Sequence, residues 1–281
     1  MADTFGIAGV QMEVISGEGN IDRMEKQLEQ IQELHPWVEM VVFSELCAFG
    51  NHPKWAQPIP GAITQKLSLL AKKFNKWLVP GSISESTPEG VYNTALIYNP
   101  QGEIVTRYRK MYPWRPAETS LSGSDFCIFD IPGRLRIGIC ICYDQWFPEM
   151  IRQLTWMGAD VILCPTMTGT PDRHLEVVLS QANAIANQIY FMGINGLGHG
   201  GNGQSVIVDP EGLVLDKQET SEAILTMKVD AQKVKDVREH GTLGVSQALK
   251  SFQEGNFSFP IYQQGVNKGE GFKKLNAIIK N

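Results

Sequence analysis

No apolar run in this 281-residue chain approaches the roughly 18 residues that a membrane-spanning helix needs, so no membrane partner is expected. Basic blocks are missing as well. The formal net charge of −5 is spread along the chain, and nowhere do Lys and Arg cluster densely enough to track phosphates, which argues against nucleic acid. Cysteine is scarce and odd in number: Cys47, Cys127, Cys140, Cys142 and Cys164 sit mostly inside apolar runs and read as reduced thiols, not a disulfide framework. Cys140 and Cys142 are too close in sequence for a zinc knuckle, and His35, His52, His174, His199 and His240 are scattered. No metal and no cofactor are therefore expected. The N-terminus lacks a charged stretch followed by an apolar one and a small-residue cleavage site, so the cytoplasm is the default compartment.

What the chain does have is apolar material, 43% of its residues, enough for a large core in a soluble globular protein. Short β-branched and aromatic runs alternate with stretches of helical period, the pattern of a layered α/β protein. Strands are expected over Phe5 to Gln11, Val38 to Ser44, Trp77 to Ile83, Ile104 to Tyr108, Leu135 to Cys142 and Val161 to Cys164, among others. Helices are expected over Ile21 to His35, with Asn20 as the cap, over Ala62 to Phe74, and from Pro148. A fourth, Leu175 to Asn187, is expected to bury Leu175, Val178, Leu179, Ala182 and Ile185 on one face. No Pro/Ser-rich linker divides the chain, which favours a single domain over 1–264. The tail 265–281 carries Lys268, Lys273, Lys274 and Lys280 among Gly and Asn; it reads as a solvated terminus or as a segment docking on a neighbouring subunit.

Three strand-like runs end on reactive or charged residues. Val41-Val42-Phe43-Ser44 leads to Glu45, whose exit from an apolar strand invites desolvation and a raised pKa. The run from Ile104 to Arg109 leads to Lys110, and Gly138-Ile139-Cys140-Ile141 leads to Cys142. Each has a plainer reading alone. Glu45 fits a surface ion pair, Lys110 an edge strand guarded by charge, and Cys142 a small buried hydrophobe. Yet Cys142 is followed by a turn and by Pro148, which suits a first helical turn, and the intervening N–H groups can donate to an oxyanion. No histidine stands in a motif that would partner it, so a carboxylate is the expected base. On a regular strand Cys140 shares its face, leaving the two thiols undistinguished.

These runs carry a resemblance. Val42-Phe43-Ser44-Glu45-Leu46, Tyr108-Arg109-Lys110-Met111-Tyr112 and Ile141-Cys142-Tyr143-Asp144 with Phe147-Pro148-Glu149 stand in the order seen in the carbon–nitrogen hydrolase, or nitrilase, superfamily. Supporting matches are Tyr92-Asn93-Thr94-Ala95, Asn195-Gly196 and Gly203-Gln204-Ser205, and together they span about Gly6 to Val229. The resemblance implies a four-layer αββα sandwich of two stacked mixed sheets with helices outside, usually paired through helices into a homodimer or higher homo-oligomer. It also implies a catalytic triad of Glu45, Lys110 and Cys142, with Glu118 as a second carboxylate that orients the substrate and holds Lys110. Tyr143 and Trp146, with Thr166, Thr168 and Thr170 and the nearby Trp114, are expected to shape a compact substrate pocket. Tyr143-Asp144 resembles the amidase and carbamoylase branches, whereas Tyr112 departs from the carbamoylase pattern, which usually has His there. The implied function is hydrolysis of a small linear amide through a cysteine thioester. An N-carbamoyl amine, a nitrile, or acyl transfer to an amine are the alternatives.

Overall fold

The computed structural model describes residues 4–115 and 117–264; the tail 265–281 lies outside them. Along the first half run β1 (Phe5–Gln11), β2 (Glu13–Val14), α1 (Asn20–Leu34), β3 (Met40–Phe43), α2 (Ala62–Phe74), β4 (Trp77–Val79), β5 (Ser82–Thr87), β6 (Gly90–Tyr98) and β7 (Ile104–Arg109). Next come β8 (Cys127–Ile131), β9 (Leu135–Ile139), α3 (Pro148–Trp156), β10 (Val161–Thr166), α4 (Arg173–Asn187) and β11 (Tyr190–Asn195). The rest comprises β12 (Leu197–Gly198), β13 (Val206–Val208), β14 (Val214–Lys217), β15 (Ala223–Val229), α5 (Ala231–His240), α6 (Ala248–Gly255) and α7 (Pro260–Gln264). No helix among the described residues is long and apolar enough to cross a membrane.

Two mixed sheets result. One is ordered β15-β1-β3-β4-β6-β5, with β7 also paired to β6; the other is ordered β14-β13-β11-β10-β9-β8. Strand alternation builds the layers. In β1 and β3, Ile7, Met40 and Val42 point toward the second sheet, while Ala8, Val10, Val41 and Phe43 meet Met24, Leu28 and Ile31 of α1 and Leu67 and Leu70 of α2. Gly9 lies where the sheets approach closely: a Cβ there would stand 2.2 Å from Ile194 Cδ1. On the far side, Met150, Ile151 and Leu154 of α3 and Ala184 of α4 cover the second sheet. The architecture is therefore the four-layer αββα sandwich.

Local chemistry moves several expected boundaries. The strand expected over Trp77 to Ile83 is broken at Pro80-Gly81, because Pro80 brings no N–H to a ladder and Gly81 adopts φ 77°. Asn20 does not cap α1. The cap is Gly19, and the Asn20 amide instead ties down the preceding loop through Ile15 and Gly17.

The burial of α4 is reversed from the expectation. Leu175, Val178 and Ile185 are exposed, whereas Arg173, Glu176, Ser180 and Asn183 face inward. Those polar groups are satisfied locally: Arg173 pairs with Glu176, Ser180 Oγ donates to Gln145 Oε1, and Asn183 Nδ2 donates to the Gln145 carbonyl. Burial of a polar face is tolerable only with such partners.

Candidate active site

Glu45 and Lys110 leave the first sheet just beyond β3 and β7, and Cys142 follows β9 of the second. The sheets are tied where they deliver these groups, since the Glu45 N–H donates to the Thr166 carbonyl at 3.2 Å. β9 stops at Ile139, short of the expected end. Cys142 takes φ 49° and opens a turn of 3₁₀ helix over Cys142–Trp146, so it does not simply repeat the orientation of Cys140. A left-handed conformation is uncommon outside glycine, and here it coincides with a thiol at the head of a short helical turn. Leu46, directly after Glu45, shares that rare conformation at φ 51°.

Lys110 is fully buried and bridges two carboxylates. Its Nζ donates to Glu45 Oε1 at 2.9 Å and to Glu118 Oε1 at 2.5 Å. Asn93 Nδ2 also donates to Glu45 Oε1, at 2.7 Å. Cys142 Sγ lies 3.6 Å from Thr168 Oγ1, and the Thr168 backbone is pinned at both its N–H and its carbonyl by the Asn195 side chain. Cys142, Glu118, Tyr143, Trp146 and Thr168 line a cavity of about 100 Å³, joined there by Trp114, Thr170 and other residues. Cys140 and Thr166 do not line it. The Thr166 hydroxyl is wholly buried and donates back to the Cys164 carbonyl, which removes it from the expected pocket wall.

Burial sets the electrostatics. It raises the pKa of Glu45, with Lys110 opposing and Glu118 reinforcing the rise. It also pushes the Cys142 thiol well above its ordinary value; Glu45 adds to that and Lys110 works against it. Burial disfavours the Lys110 ammonium, but Glu45, Cys142 and Glu118 outweigh burial and raise its pKa well above the usual lysine range. Burial thus favours the protonated thiol at Cys142, while its acidic neighbours favour the charged form of Lys110.

Asp144 is a group whose role sequence reasoning missed. Its Oδ2 accepts from Tyr108 Oη at 2.7 Å and from the Ile141 N–H at 2.8 Å, and its Oδ1 accepts from the Tyr112 N–H at 2.9 Å. It thereby joins the lysine loop to the cysteine turn. Burial lifts its pKa to about 6 against the pull of Lys110 and these donors. Asn93, Asp172 and Glu176 were also missed as site residues. A buried Asn beside Thr94 in β6 was the available signal for Asn93; the apolar period of α4 drew attention away from Glu176 and from Asp172 at the head of that helix. Among the described residues, no group of three or more His, Cys, Asp or Glu is placed to hold a metal ion.

Comparison with known proteins identifies the family. Residues 6–239 match the family model described as carbon–nitrogen hydrolase. A formamidase of Bacillus cereus is 32% identical over 203 residues, 67% of this chain; the chain spans about 60% of the length of such formamidases. Omega-amidase NIT2 of Pongo abelii is 29% identical over 259 residues, covering 84% of this chain and 92% of that protein. Among solved structures, Saccharomyces cerevisiae Nit3, of the nitrilase superfamily, superposes with a TM-score of 0.77 at 25% identity, covering 84% of this chain and 93% of its own. An amidase from Nesterenkonia AN1 shares the fold, with a TM-score of 0.71 at 24% identity over 84% of this chain and 95% of its own. Because the family model runs through all three strand ends described above, the chain belongs to the carbon–nitrogen hydrolase family, whose amidases are among its relatives.

Proposed function

We propose that the protein is an amidase that cleaves the carbon–nitrogen bond of a small linear amide through a thioester on Cys142. The supporting observation is the Cys142 thiol at the cavity wall with Lys110 held between Glu45 and Glu118 beside it. Glu45 accepts the thiol proton as Sγ bonds to the amide carbon. Lys110 and the Tyr143 N–H stabilise the resulting oxyanion, each donor contributing about 3 kcal/mol. Glu45 returns the proton to nitrogen, the C–N bond breaks and ammonia leaves. Glu45 then takes a proton from water, whose oxygen attacks the thioester. The C–S bond breaks, the acid departs and Sγ recovers its proton. Glu118 keeps Lys110 in place and orients the substrate nitrogen.

The partner in this reading is a second copy of the chain, supported by the apolar stripe that α4 leaves exposed and by Trp156 at the end of α3, 73% exposed. A cytoplasmic setting is supported by the five free cysteines, all buried.

The test is an ammonia-release screen of small amides, carbamoyl amines and nitriles. Small amides should be turned over without an added amine. Cys142→Ala and Glu45→Gln should each lower the rate at least about 1,000-fold with the fold intact, while Cys140→Ala keeps its activity. Full activity in Cys142→Ala, or strict dependence on an amine acceptor, would overturn the reading.

A further inference from the structure

The cavity at Cys142 is lopsided in charge. Glu118, Asp172 and Glu176 line it, and the described residues of its wall include no Lys, Arg or His. Cations stand behind the wall, but they are already engaged. Lys110 gives two of its three protons to Glu45 and Glu118, and the third is the one the oxyanion uses in the proposed mechanism. Arg173 is buried and gives its guanidinium to Glu176 Oε2 at 2.8 Å and to the carbonyls of Gly203 and Gln204 at 3.1 and 2.9 Å. Arg115 is turned onto the carbonyls of Glu118 and Ser120.

The acids are not equally occupied. Glu176 accepts from the Trp146 indole N–H at 3.2 Å and from Arg173. Asp172 Oδ1 accepts from the Thr170 hydroxyl at 2.5 Å, and among the described residues no donor meets its Oδ2. Trp114, Tyr143 and Trp146 add aromatic rings to the same wall. A ring face attracts an ammonium, whereas a carboxylate would find only neutral N–H and O–H donors on these side chains. A carboxylate entering here would meet three acids and find no free cation. Glu118 and Glu176 are paired with Lys110 and Arg173, whereas Asp172 has no ion-pair partner among the described residues. An ammonium would find an unused oxygen and aromatic walls.

We propose that this cavity sorts amides by the charge of their far end, accepting an ammonium or a neutral tail and rejecting a carboxylate, with Asp172 as the group that reads the charge. This rests on the amidase reading and deepens it. Like charges brought together in a poorly solvated cavity repel strongly, so the discrimination should reach about 100-fold.

Three amides of matched length supply the test: butanamide, 4-aminobutanamide and succinamate. In the wild type, kcat/KM for 4-aminobutanamide should be at least that for butanamide and about 100-fold above that for succinamate. Asp172→Asn should narrow the ratio of the cationic to the anionic amide by about 10-fold. Succinamate cleaved within about 3-fold of 4-aminobutanamide would overturn the proposal, and an unmoved ratio in Asp172→Asn would overturn the assignment of Asp172. The wild-type panel reads charge preference whether or not that variant folds. Calorimetric binding of the three amides to Cys142→Ala separates the two readings. Charge-selective binding without turnover in the wild type would sustain the charge rule while the amidase reading fell. Equal binding of all three would overturn the rule itself.

Discussion

Glu45 and Cys142 are both pushed toward their neutral forms by burial, and Lys110 is pushed toward its charged one. Had the site held a resting thiolate beside an imidazolium, the thiol pKa would be depressed, as at other activated cysteines. On the proposed mechanism the proton moves during the reaction to Glu45, which accepts it only when ionised. Because the folded pKa of Glu45 lies above its ordinary 4.5, activity should be lost as pH falls, with the midpoint of the acid limb above that value. On the alkaline side both Lys110 and Cys142 hold their protons beyond their usual ranges, so the plateau should extend well past neutrality. A kcat/KM profile checks this, and an acid limb at or below 4.5 would contradict it. Asp144 has the opposite bearing on stability. With its pKa near 6 in the fold and 3.8 as the reference, the folded chain binds the extra proton between those values, so stability from this group declines as pH rises through that window. The donors from Tyr108, Ile141 and Tyr112 offset that cost once the carboxylate is ionised.

At the scale of elements, the site depends on how strands end. The break between β4 and β5 lets Gly81 lie against the end of β3: a Cβ on Gly81 would stand 1.7 Å from the Ser44 carbonyl oxygen, and φ is 77°. Gly81→Ala should therefore cost about 2 to 4 kcal/mol of stability and displace Glu45 along with Ser44. Chemical denaturation and kcat measured together check this; a variant equal to wild type in both would show that the contact relaxes without consequence. The strands were largely legible in sequence because β-branched runs have few alternatives in a buried sheet. Strand ends were less so, since Ile139 and Cys142 look equally apolar and only the left-handed turn at Cys142 separates them. Asp144 escaped notice for a related reason: its partners Tyr108 and Tyr112 are remote in sequence and reach it only once both sheets are in place. In α4 the apolar period was real, but it marked the outer face, because Arg173, Glu176, Ser180 and Asn183 satisfy one another and the cysteine turn.

For the whole molecule, that outer face bears on assembly. Leu175, Val178 and Ile185 present a continuous apolar row on a helix whose other face is already occupied. Pairing with a second copy would remove it from water. If the proposed pairing holds, Val178→Glu combined with Ile185→Glu should leave a monomer in sedimentation velocity where the wild type sediments as a dimer; a wild-type chain that sediments as a monomer would refute the pairing. The layered fold was legible from strand–helix alternation and from three ordered motifs, whereas the polarity of a surface meeting another chain is not encoded by period alone. The backbone hydrogen bond from Glu45 to Thr166 has a further meaning for a chain on the ribosome. Glu45 and Lys110 emerge with strands made early and the thiol arrives later, while β15, the last strand of the first sheet, follows every strand of the second. Until the two sheets have docked, the base proposed for Cys142 is not beside it, so on that reading a nascent or half-folded chain carries an ordinary thiol and the chemistry is withheld until assembly is finished.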